Sequence, residues 1–338
     1  MRLERPTLPR ALTMVVYAAT MLFAPAAPAQ AHNGAGGSAS DYRSEIIGYS
    51  GDPTGIELRV VELGNRMELV RTTANTVVVL GYEGEPYLRF DASGIFENIN
   101  SPAHYLNLDR FAATSPPASA SATAQPSWMR VASGTTFRWH DHRAHWMSPI
   151  PPTDVQADPD VERVVHTDTV ALQIDGRDVE ATIRVTWLPK PDRLLWLVIA
   201  VLLAAIVAAT IVLVRGADRY LPLAVVAASV AVMFGAGDSG ARAVLSGVAI
   251  VAALVGVFTR LRLVSVGAAV LVSLLAATRL DVFDHELIAG WIAAPGQRLA
   301  IVIAFGFGLG SVAASIVSAL SPSPAPPPTA LEGVADGA

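Results

Sequence analysis

The chain has 338 residues, a formal net charge of −5, seven histidines and no cysteine. Without cysteine, thiolate metal sites and a disulfide scaffold are excluded, which leaves His, Met, Asp and Glu as metal ligands. Residues 32–193 hold 21 Asp and Glu against 14 Lys and Arg, a net of −7. That balance argues against nucleic acid, whose binding needs a basic face.

Residues 1–31 read as a secretory signal peptide. Arg2, Arg5 and Arg10 form the charged region, residues 11–24 the apolar region, and Ala29-Gln30-Ala31 the small-residue cleavage site. Cleavage there makes His32 the new N-terminus. Its α-amine and ring can then chelate one ion together. Residues 32–50 are glycine- and serine-rich at their start and are expected to be flexible.

Residues 51–190 read as an extracytoplasmic all-β antiparallel sandwich. Ile56, Leu58 and Val60 alternate with polar neighbours, as do Val77 and Val79. The runs 87–90 and 94–98 flank the turn Asp91-Ala92-Ser93. The runs 161–174 and 179–187 flank Asp175-Gly176, a strong hairpin signal. Several short strands with Gly, Pro and Asp punctuation suit a sandwich or barrel. Residues 112–127 are low in complexity and are expected to form a mobile loop beside the next feature.

That feature is Phe137-Arg138-Trp139-His140-Asp141-His142-Arg143-Ala144-His145-Trp146-Met147. Imidazole is the commonest transition-metal ligand, and imidazole beside thioether suits copper. On a strand, His140 and His142 would share a face. His145 would join them only across a bulge. Met147 and His32 are candidates to complete the sphere. The plain alternative is an aromatic core strand with an Asp/His/Arg network, in which Trp139 and Trp146 pack rather than shield an ion. His104 and His166 are isolated and read as structural or surface residues, while His285, in the external cluster Asp284-His285-Glu286 beside the membrane, is a lesser candidate for the same ion. No G-x-S-x-G, H-E-x-x-H or P-loop motif marks an enzyme.

Five apolar stretches follow, at 194–214, 220–235, 244–258, 263–277 and 299–320, and predict an α-helical membrane bundle of five spans over 194–320. Arg215, Arg219, Arg260 and Arg262 place two loops in the cytoplasm by the positive-inside rule. The β unit is then outside, and the tail 321–338 is cytoplasmic and disordered. No stretch carries an ionisable residue at mid-depth, which weighs against a coupled transporter. Gly306 and Gly310 form a small-xxx-small pair suited to close helix packing.

An exported β-sandwich with His directly after an A-x-A site resembles the plan of CopC-type copper-binding proteins. Fused to a membrane part, it resembles CopC–CopD fusions. The 139–147 motif is also similar to exported multispan membrane proteins of high-GC Gram-positive bacteria. The resemblance implies a copper or zinc ion as cofactor and a role in sequestration, delivery or sensing. The alternative is a non-catalytic interaction module that recruits or stabilises another membrane protein.

Overall fold

The computed structural model describes residues 39–235, 240–259 and 262–320. The expected signal peptide, His32 and the expected tail lie outside these residues.

The N-terminal part is built from antiparallel strands: β1 (Ala39–Ser40), β2 (Tyr42–Ser50), β3 (Ile56–Val61), β4 (Arg66–Arg71), β5 (Val77–Leu80), β6 (Pro86–Asp91), β7 (Gly94–Asn98), β8 (Trp128–Ala132), β9 (Thr136–Trp139), β10 (Arg163–Ile174) and β11 (Arg177–Trp187). A seven-stranded sheet runs β2-β11-β10-β5-β6-β7-β8, and a three-stranded sheet runs β3-β4-β9. Alternation decides which faces meet. Val77 and Val79, Leu88 and Phe90, Val170 and Leu172, and Ala181 and Ile183 come from the larger sheet. They form one core with Leu58, Met67 and Leu69 of the smaller sheet. Burying each large side chain in such a core stabilises by roughly 1.5–3 kcal/mol. The β10–β11 hairpin turns at Asp175 and Gly176, with φ of 49° and 78°. Two left-handed residues match the twist of the strands they join.

Segment 32–50 differs from expectation over its second half. From Tyr42 it is a nine-residue strand, paired along β11 from Trp187 to Glu180. Edge position explains why it was missed: its residues are mostly half-buried, so alternation is weak. Residues 112–127 contain no strand or helix. They are tied at one end, where Ile99 N–H donates to Ser127 O and Asn100 Nδ2 to Gln125 O.

Two five-residue helices, α1 (Pro102–Leu106) and α2 (Thr153–Ala157), sit in the β unit. Five more follow it: α3 (Arg193–Leu213), α4 (Leu221–Gly235), α5 (Gly240–Thr259), α6 (Arg262–Ala277) and α7 (Ala294–Leu320). The five-span bundle is not what is found. Among the described residues, only α3 and α7 are long and apolar enough to cross a membrane. The helix α4 has 15 residues, and the apolar parts of α5 and α6, Val244–Gly256 and Leu263–Ala277, are also short. At 1.5 Å per residue, 15 residues rise about 22 Å against a hydrocarbon core of about 30 Å. The sequence bounded these three short stretches, but an apolar stretch shorter than the hydrocarbon core is not by itself a span.

The helix α7 packs on α3, α4 and α6. The Gly306 and Gly310 faces meet α3 at Leu203, Ala204 and Val207, and Gly308 meets α6 at Ser273. The β unit is joined to the helices by more than the chain. Strand β1 pairs with β12 (Leu287–Ile288), just ahead of α7. Buried Asp41 accepts from His285 Nδ1 at 3.0 Å and Glu286 N–H at 2.9 Å, and Arg193 pairs with Asp284 at 2.9 Å. Leu63, in a 3-10 turn (Glu62–Gly64) with Glu62 and Leu63 at φ of 54° and 55°, lines a groove with residues 286–295.

Candidate metal centre

Strand β9 stops at Trp139, one residue short of the first histidine of the motif. The chain then turns sharply, and Asp141 causes the turn. Its side chain accepts from Arg143 N–H at 3.1 Å and so caps a 3-10 turn over His142–Ala144. Its carboxylate also takes Trp139 Nε1 at 2.9 Å and, through both oxygens, Arg143 Nε and Nη2 at 2.8 Å. Burial alone would push this carboxyl up, but the Arg143 guanidinium outweighs it and holds Asp141 below its ordinary value. Arg143 lies over the Tyr82 ring at 4.9 Å, and the Tyr82 hydroxyl accepts from His142 N–H at 3.0 Å and bonds Asn107 Oδ1.

The turn folds His140, His142 and His145 onto one another. One nitrogen from each lies within 4.8 Å of the others, and ring centroids are 4.7–5.6 Å apart. The expectation of a shared strand face is therefore corrected. His140 and His142 do converge, but through a capped turn, and the same turn brings in His145 without a bulge.

Each ring has one nitrogen on a backbone carbonyl. His140 Nδ1 donates to Asn65 O at 2.7 Å, His142 Nε2 to Asp109 O at 2.9 Å, and His145 Nδ1 to Trp146 O at 3.2 Å. A carbonyl only accepts, so each bond places the ring proton on that outer nitrogen. The inner nitrogens, His140 Nε2, His142 Nδ1 and His145 Nε2, are left with lone pairs. The two Nε2 atoms are 3.0 Å apart. Two lone pairs at that distance repel unless a cation lies between them. A metal ion held by both nitrogens would relieve that repulsion. Burial pushes His145 down to about 3 and lowers His140 too, so both rings are neutral, as ligation requires.

Two of the three carbonyls come from afar. Asn65 follows the 3-10 turn that carries Leu63. Asp109 organises loop 109–114 with its carboxylate, accepting from the backbone N–H groups of Phe111, Ala113 and Thr114 at 2.9–3.1 Å. Ala113 and Phe111 hold that carboxyl below its usual value.

Met147 stands at the surface, 36% exposed, and among the described residues no hydrogen bond joins its sulfur to the rings. His104 pairs with Glu97 at 3.0 Å, His166 meets Arg143 O at 3.3 Å, and His285 belongs to Asp41. Trp139 is buried in the core and orients Asp141, while Trp146 Nε1 donates to Ile150 O. Asn65, Asp109 and Arg110 were not singled out in the sequence. Backbone acceptors leave no mark of residue type, so only the Asp-x-Arg spacing of the turn was there to be found.

No protein-family model, curated protein or solved structure matches the chain.

Proposed function

We propose that the protein is a membrane-anchored, extracytoplasmic metal-binding protein, with His140, His142 and His145 as ligands. The observation that carries this reading is the convergence of three lone-pair nitrogens, each oriented by a carbonyl bond to its other ring nitrogen. Ligating histidines almost always show that second interaction. Copper is the favoured ion: divalent affinities for nitrogen ligands rise to a maximum at Cu(II), and zinc follows. Met147 and His32 are the candidates from this chain for a fourth ligand. Helices α3 and α7 support anchoring in the bilayer, and the arginines after α3 support placing the β unit outside. The role is sequestration, delivery or sensing.

Competition of the purified full-length apoprotein with a chromophoric chelator tests this. One equivalent of copper should bind, and His140→Ala, His142→Ala and His145→Ala should each weaken binding by about 100-fold or more, beyond the 10–100-fold typical of outer partners. His166→Ala should leave it unchanged. If neither copper nor zinc binds stoichiometrically, the metal reading is wrong. The carbonyl-capped rings are then structural, and the interaction module takes its place.

A further inference from the structure

Resting on that reading, we infer that the three imidazoles form an open centre whose remaining position takes a carboxylate-type anion, held by Arg110. Two observations lead there.

The first is charge. Three neutral rings leave a divalent ion with its full charge, and the carboxylates near it are already engaged. Asp141 is closed on Arg143 and Trp139. Asp109 is closed on the amides and hydroxyl of its own loop. Three protein ligands with a free fourth position is also the pattern of zinc sites that bind an exogenous group.

The second is the placement of Arg110. It follows Asp109, whose carbonyl caps His142. Its Nη1 donates to Asn65 Oδ1 at 3.3 Å, and the carbonyl of the same Asn65 caps His140. The guanidinium is thus tied to the residue that caps His140 and is next in the chain to the one that caps His142. A fixed cation beside a metal site weakens metal binding unless an anion joins them. The residue is exposed, and among the described residues one of its five N–H donors is used, which leaves donors of the fork for a carboxylate. Tyr42, which interacts with Arg110, is pushed up to about 12 by burial and brings no charge of its own at neutral pH.

The test uses full-length apoprotein loaded with Co(II), whose visible absorption reports coordination. Acetate and azide are then titrated separately. Both should change the spectrum saturably, and Arg110→Gln should weaken each by about tenfold or more while Co(II) affinity holds or rises. Failure of Co(II) to bind overturns the metal reading itself. Co(II) binding with no response to either anion overturns the open site and points to a fourth ligand from the chain, which Met147→Leu and an added residue before His32 would reveal. Equal anion affinity in Arg110→Gln removes Arg110 from the assignment.

Discussion

Asp141 orders the site without touching an ion. It is fully buried, caps the turn and neutralises buried Arg143. Removing one partner of such a pair costs about 3–5 kcal/mol, because the other charge stays buried and unpaired. Asp141→Asn should lower the urea midpoint accordingly. The double variant Asp141→Leu, Arg143→Met should recover much of that loss, since an apolar pair of similar volume can replace a buried ion pair. It should not recover metal affinity, because the turn has lost its cap. Tight binding in the double variant would show that the turn is held by something else. At this scale the spacing of His140, His142 and His145 was legible, but its cause was not. Period-2 alternation and a capped turn both bring His140 and His142 together, and only the turn also brings His145.

Among the elements, β3, β5, β6, β7 and the β10–β11 hairpin were readable from their alternation, while β4 was not, because Glu68 is buried along with Met67 and Leu69. Strand β2 was not, because its edge position blurs the alternation. The helical part was readable as apolar but not as spans: the stretches 220–235, 244–258 and 263–277 were bounded in the sequence, but among the described residues only α3 and α7 are long and apolar enough to cross. The small residues of α7 have the meaning that their spacing suggests. A Cβ on Gly310 would stand 2.7 Å from the Ala204 carbonyl oxygen and 2.8 Å from Val207 Cβ, and a backbone oxygen inside α3 cannot step aside. Gly310→Ala should cost about 1–3 kcal/mol as overpacking. Gly247→Ala in α5 meets nothing within 4 Å and gains helix propensity, so it should be neutral or stabilising. Thermal midpoints in detergent should separate the two. Equal midpoints would mean that α3 and α7 do not pack this closely.

Across the whole molecule, the joint between the β unit and the helices contains a titrating pair. Hydrogen bonding to Asp41 raises His285 above its ordinary value; Lys190, 3.6 Å from Asp41, opposes this, and Asp284 reinforces it. A raised pKa means that the protonated ring is favoured by folding. The stabilisation is complete below the unfolded value of about 6.5 and disappears as pH rises through the folded one. His285 is partly exposed, so screening limits the effect to about 0.5 kcal/mol. Amide exchange at Glu286, whose N–H donates to Asp41, should quicken between pH 6.5 and 8 beyond the intrinsic pH dependence of exchange. Asp41→Asn should abolish that excess. An unchanged excess in the variant would place the titration elsewhere.

The β1–β12 pairing closes the chain on itself. Ala39 lies opposite Ile288, so a segment at the start of the β unit finds its partner only after α6 has been made. During synthesis that clasp forms late, once nearly the whole protein exists. In the finished molecule it means that a single backbone cut in the irregular stretch 112–127 would leave two fragments still held to each other, as in a split protein. Excising the β unit at Lys190 would instead strip Asp41 of His285 and Glu286 and leave its carboxylate to Lys190, at 3.6 Å.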